Sequence, residues 1–126
     1  MPASRDEVLL AMLPPQAEHI QNALRPTGLR TVRVSDLNGL RASLAAGLEL
    51  RLVLTQISLS DGNWRDVVRI VRRVDRAIRV ILYAPAPTTE LWMDALDSGV
   101  YDLVSAGDDD ALRSAVLRAI PEDGRC

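Results

Sequence analysis

The chain has 126 residues, 48% hydrophobic and 25% charged, which suits one domain with a core of its own and excludes a disordered chain. Its formal charge of −2 gives no overall attraction to nucleic acid or anionic lipid, and no apolar run approaches the roughly 18 residues that cross a bilayer. The only cysteine is the last residue, Cys126, and the only histidine is His19, so neither an internal disulfide nor a Cys/His metal site is expected.

Met1 to Glu7 is polar, carries both charge signs and does not look like a signal peptide, so a cytoplasmic location is the default expectation. Val8 to Leu13 is a continuous apolar run between charge and Pro14-Pro15; it reads as a strand buried on both faces of a parallel sheet. Pro15 suits the first turn of a helix, Ile20, Ala23 and Leu24 recur at helical spacing, and Pro26 and Gly28 end it. Leu29 to Val34 alternates and is rich in β-branched residues, as an edge-proximal strand does. Ser35 or Asp36 caps a helix that lines one face with Leu37, Leu40, Leu44 and Ala45 and stops at Gly47.

Leu50 to Gln56 is the third strand, and Ser60 to Asn63 is a turn. Asp61 or Asn63 caps the next helix, which turns Val67, Val68, Ile70, Val71 and Val74 inward. Arg79 to Ala84 is the fourth strand, Pro85 to Thr89 a loop, and Glu90 to Ser98 a helix closed by Gly99. Asp102 to Ala106 is the fifth strand, and Ala111 to Ile120 the last helix, with acids at its start. Five strands alternating with five helices predict an α/β fold, a parallel sheet covered on both faces. Functional groups then gather at the strand carboxyl ends, near Leu13, Gln56, Ala84 and Ala106.

The local text is more specific than the alternation. Leu52 to Trp64 resembles the response-regulator receiver segment in which a strand ends at the phospho-accepting Asp and runs into a Leu-Pro-Asp-Gly loop. Ala95 to Val104 resembles the receiver stretch Ala-Leu-x-x-Gly-Ala-x-Asp-Tyr-Leu, and Pro15 matches the proline that follows the receiver's paired acids. The resemblance to the CheY-like receiver family spans residues 6–120. It implies a flavodoxin-like (βα)5 three-layer sandwich with strand order 2-1-3-4-5. One domain is expected over 1–126, with 121–126 a polar tail.

A working receiver of this family holds Mg²⁺ on two acids, takes phosphate on an Asp, and contacts it with a Thr or Ser and a Lys. Carried over, the acid pair falls on Met12 and Leu13, the phospho-acceptor on Gln56, the hydroxyl on Tyr83, the lysine on Ala106 with Gly107 in place of proline, and the aromatic switch on Leu103. Met and Leu offer no oxygen to a hard cation, a glutamine amide is no carboxylate nucleophile, and the chain contains no lysine, all 15 basic residues being arginine. The resemblance therefore implies a degenerate pseudo-receiver with no cofactor.

Gln56 either bridges neighbouring loops or is an idle polar residue. Met12, Leu13 and Tyr83 either fill the old acidic pocket, the weightier reading, or leave an apolar ligand site. Asp61 reads as a turn or cap residue. The arginines of 65–79 spread over most of the exposed arc of their helix with Asp66 and Asp75 interleaved, so a solvated face outweighs a nucleic-acid stripe. His19 reads as a surface residue without metal partners. Trp64 and Trp92 are candidate interface anchors; Trp92 and Tyr101 lie near the fourth helix–fifth strand–fifth helix face through which, by resemblance, receivers meet partners or dimerise.

Two functions follow: a phosphorylation-independent signalling module acting on a protein partner or as a homodimer, or a sensor of a small molecule at the strand ends. Neither membrane nor nucleic-acid binding is expected. With only six residues after Ile120, no output domain is expected in this chain, and with no catalytic triad or P-loop no enzymatic role.

Overall fold

The computed structural model describes residues 7–47 and 50–120. Five strands form one parallel sheet: β1 (Glu7–Ala11), β2 (Arg30–Val34), β3 (Leu50–Thr55), β4 (Arg79–Ala84) and β5 (Asp102–Ser105). Their spatial order is β2-β1-β3-β4-β5. Five helices alternate with them: α1 (Pro14–Leu24), α2 (Leu37–Ala45), α3 (Trp64–Val74), α4 (Thr89–Asp97) and α5 (Asp109–Ala119). This is the flavodoxin-like sandwich, in the strand order that the resemblance implies.

Successive strand residues face opposite sides of a sheet, so a run buried on both faces must be apolar throughout. Leu9 and Ala11 of β1, Val53 of β3 and Leu82 of β4 pack on one side, against Leu40 of α2, Val67 and Val71 of α3 and Ala95 of α4. Val8 and Leu10, Leu52 and Leu54, and Ile81 pack on the other, against Ile20 and Leu24 of α1 and Leu112 and Val116 of α5. Each fully buried leucine or isoleucine contributes about 1.5–3 kcal/mol relative to exposure, which is why these two layers hold the sheet.

The helix starts follow local chemistry. Asp36 caps α2 by accepting the Gly39 N–H at 2.8 Å, and Thr88 and Asp108 cap α4 and α5. Asn63 and Asp66 form a reciprocal capping box at α3. Leu13 caps α1 without a side-chain oxygen, and the prolines that follow supply the helical φ instead.

Several sequence readings are corrected. Ser58–Leu59 and Gly62–Asn63 pair as a small antiparallel hairpin, where the sequence suggested only a turn. Asp61 does not cap α3; it reaches back to α2 and accepts the N–H groups of Leu37 at 2.8 Å and Asn38 at 3.2 Å. Val74, expected inward, is 55% exposed because it ends α3 where the helix leaves the sheet, and Ala45 at the end of α2 is exposed likewise. Trp64 is buried at the root of α3 and belongs to the core. The strand ends also shift: Leu13, Gln56 and Ala106 lie just beyond β1, β3 and β5.

Candidate functional site

The chain leaves β1 toward β2 on one side and reaches β3 on the other, so a crevice opens at the carboxyl ends of β1 and β3. Gln56 sits there. Its backbone N–H donates to the Ala11 carbonyl at 3.2 Å, continuing the β1–β3 ladder by one rung. Thr55, fully buried, donates its hydroxyl to the Gln56 carbonyl at 2.9 Å. The Gln56 side chain then spans two loops: Oε1 accepts the Leu13 N–H at 3.0 Å, and Nε2 donates to the Ser58 carbonyl at 2.6 Å. The two partners fix the amide's orientation, because a backbone N–H needs an acceptor and a carbonyl needs a donor. A carboxylate, which only accepts, satisfies one of the two.

Around this bridge the crevice is largely apolar. Met12 is 1% exposed and packs into the α1/α5 layer, and Leu13 is 48% exposed at the mouth. Tyr83 is buried, and its hydroxyl oxygen accepts the Gly107 N–H at 3.4 Å. Gly107 has φ of +94°, a conformation closed to the proline that the resemblance puts there. The Ala106 N–H donates to the Ala84 carbonyl at 2.8 Å, and the side chain there is a methyl. Leu103 is buried on the α2–α4 side. The acid of the adjoining hairpin, Asp61, is committed to the α2 amides. These residues do not fit Mg²⁺, and among the described residues no group of three or more His, Cys, Asp or Glu side chains could hold a metal. What remains is a shallow cleft of 320 Å³ lined by Leu13, Pro15, Gln56, Ile57, Tyr83 and Pro85.

A second surface lies on α4, β5 and α5. Trp92 and Leu96 are one helical turn apart on α4 and are 38% and 50% exposed; Met93 beside them is 62% exposed. Tyr101, before β5, stacks under the Arg79 guanidinium at 4.7 Å and donates its hydroxyl to the Arg118 carbonyl at 3.4 Å. Leu117 on α5 is 53% exposed. Sequence reasoning reached Trp92 and Tyr101 and missed Leu96 and Leu117, whose signal was the helical spacing from Trp92 and the outward phase of α5. His19 is exposed on α1 and meets Asp109 of α5 at 3.2 Å.

A third surface runs along α3. Arg65, Arg69, Arg72, Arg73 and Arg76 line one groove of 680 Å³ with Ser98. The structure thus gathers arginines that the sequence reading spread over a solvated arc. Arg65 stacks on Trp64 at 4.7 Å and pairs with Asp94 of α4.

No protein-family pattern and no curated protein matches the chain. Solved structures do match it. The signal receiver domain of a putative LuxO repressor protein from Vibrio parahaemolyticus is 17% identical with a TM-score of 0.80, over 91% of this chain and 92% of that one. An orphan response regulator of H. pylori is 19% identical with a TM-score of 0.77, over 95% and 100%. The signal receiver domain of a histidine kinase from Syntrophus aciditrophicus is 24% identical with a TM-score of 0.75, over 96% and 94%. At such identities the likeness is one of fold: the chain has the fold of a response-regulator receiver domain.

Proposed function

We propose that the chain is an atypical receiver-type signalling module that does not take phosphate by the aspartate and magnesium route and acts through protein contacts. The observation that carries this reading is the Gln56 amide bridging the Leu13 N–H and the Ser58 carbonyl where a receiver keeps its nucleophile. A neutral amide used at both ends neither attacks phosphorus nor recruits a metal. With no phosphoryl group to form, the two loops are held in one arrangement, and the output must come from a surface that is always presented.

That surface is the α4–β5–α5 face with Trp92, Leu96, Tyr101 and Leu117. Tryptophan and tyrosine carry a large share of binding energy where interfaces are well packed. A receiver domain described as a beryllofluoride-activated dimer is among the similar folds, with a TM-score of 0.80 at 13% identity. For this chain we take a second copy as the occupant. Light scattering during size exclusion tests it: the protein is expected to run above its 13.8 kDa monomer mass, and Trp92→Ala to shift it toward monomer. Monomer in both samples removes dimerisation through this face.

A second reading is a small-molecule sensor, and the residual strand-end cleft favours it. Its volume is at the low end for drug-sized ligands. A metabolite that raises the melting temperature, and loses that effect in Tyr83→Phe or Gln56→Ala, supports this alternative.

A further inference from the structure

The geometry points to the arginine groove on α3 as a docking site for a short acidic segment of a partner protein. Arg65, Arg69, Arg72 and Arg76 follow one another at intervals of four, three and four residues, and Arg73 flanks the row. The three on α3, Arg65 to Arg72, span about 10 Å at about 1.5 Å per residue, and Arg76 lies two residues past the helix end at Val74. Three of the guanidiniums are held in place from within: Arg65 by Asp94, Arg69 by Asp66 at 2.7 Å, and Arg72 by the Ser98 carbonyl at 3.1 Å. Each such contact uses only part of the five donors of a guanidinium, so the remaining N–H groups stay free and oriented. Arg73 and Arg76 have no internal acceptor among the described residues. Five oriented or unpaired guanidiniums along one groove are more than a solvated face needs.

The charge distribution selects the partner. Six arginines and two aspartates give residues 65–79 a charge of +4, so the rest of a chain of net −2 carries −6. The groove is therefore a local positive feature on a chain that is acidic elsewhere, and it suits a short acidic ligand. Asp66 and Asp94 interrupt the row, and the Ser98 carbonyl at the end of α4 adds partial negative charge. These features reject a continuous phosphate backbone and admit discrete carboxylates placed between them. An extended peptide of about three residues at 3.3 Å each covers the part of the row on α3. Arginine pairs with carboxylates in two parallel hydrogen bonds, which supplies orientation as well as charge.

The groove and the α4–β5–α5 surface lie on opposite flanks of α4, so this docking and the proposed dimer are measured separately. The test is a fluorescence-anisotropy titration of the intact protein with a labelled glutamate-rich peptide, its glutamine counterpart, and a single-stranded oligonucleotide of equal charge. The glutamate peptide is expected to bind most tightly and to weaken with salt. Arg73→Glu with Arg76→Glu is expected to cost at least about tenfold in affinity, and Arg30→Glu with Arg33→Glu, on the exposed edge strand, less than about twofold. Circular dichroism checks that the charge-reversed protein is folded, and Arg73→Gln with Arg76→Gln is expected to weaken binding in the same direction without reversing charge. The proposal is overturned if the glutamine peptide binds as well, if the oligonucleotide binds more tightly, or if both α3 variants bind like wild type.

Discussion

Gln56→Glu isolates the bridge at the strand ends, because it keeps the length of the side chain and changes one atom of it. The ionised carboxylate of this variant still accepts the Leu13 N–H, but it sets an oxygen against the Ser58 carbonyl, where Nε2 of Gln56 now donates at 2.6 Å. One hydrogen bond is lost and two acceptors face each other; a fully buried unsatisfied acceptor costs about 1–3 kcal/mol. Gln56 is only half-buried and Ser58 is exposed, so water and a turned carbonyl relieve part of this, leaving about 1 kcal/mol. For a chain of this size that is a fall of about 3–5 °C in melting temperature. A protonated carboxylic acid restores both bonds, since its C=O accepts and its O–H donates. The variant's carboxyl therefore has a folded pKa raised above its unfolded value of about 4.3. Wild-type-like stability is present below that unfolded value and is lost as pH rises through the raised one. Thermal melts of both proteins from pH 4 to pH 8 read this directly. Superimposable curves across the range would refute the bridge.

Two further perturbations probe the scaffold beside the site. A methyl group on Gly62 would collide with Leu37 Cδ1 and lie 2.6 Å from Asp66 Oδ2, the oxygen that accepts the Asn63 N–H in the capping box. Gly62→Ala should lose about 2–3 kcal/mol from overpacking and the broken cap; urea titration checks it, and a loss under about 0.5 kcal/mol contradicts the packing described. The Asn63 N–H, and then Arg69, hold the Asp66 carboxyl below the usual carboxylate range. A depressed folded pKa stabilises above the unfolded value and the stabilisation is lost as pH falls through the folded one, so acidification below about pH 4 weakens the fold. Asp66→Asn should flatten that part of the stability–pH curve, and an unchanged slope counts against the capping box.

The sheet was legible because a strand covered on both faces leaves no room for polar residues. Val8 to Leu10, Leu52 to Leu54 and Val80 to Leu82 are unbroken apolar runs whose neighbours in sequence serve opposite layers of the core. Caps were partly legible, since a cap acts within a few residues: Asp36 and Asn63 do what their positions suggest. Asp61 was misplaced because its partners on α2 lie 24 and 23 residues away. The Gln56 bridge was open between two readings for the same reason: the Leu13 N–H is 43 residues distant in sequence. Trp64 and Trp92 look alike as letters at the start of helices. The first packs into the core with Val67 and Leu59, and the outward phase of α4 leaves the other 38% exposed. The arginine groove needed Ser98, 26 residues from Arg72, to close its wall.

Incubation of the wild-type protein with Mg²⁺ and an acyl phosphate, followed by intact-mass measurement, tests the central claim most directly. The expected spectrum holds the unmodified mass alone, under conditions in which a receiver with its aspartate in place gains one phosphoryl group. A phosphoryl adduct mapped to the segment 52–64 would contradict the account, because it requires a nucleophile and a metal-binding oxygen set where Met12, Leu13 and Gln56 supply carbon and a neutral amide.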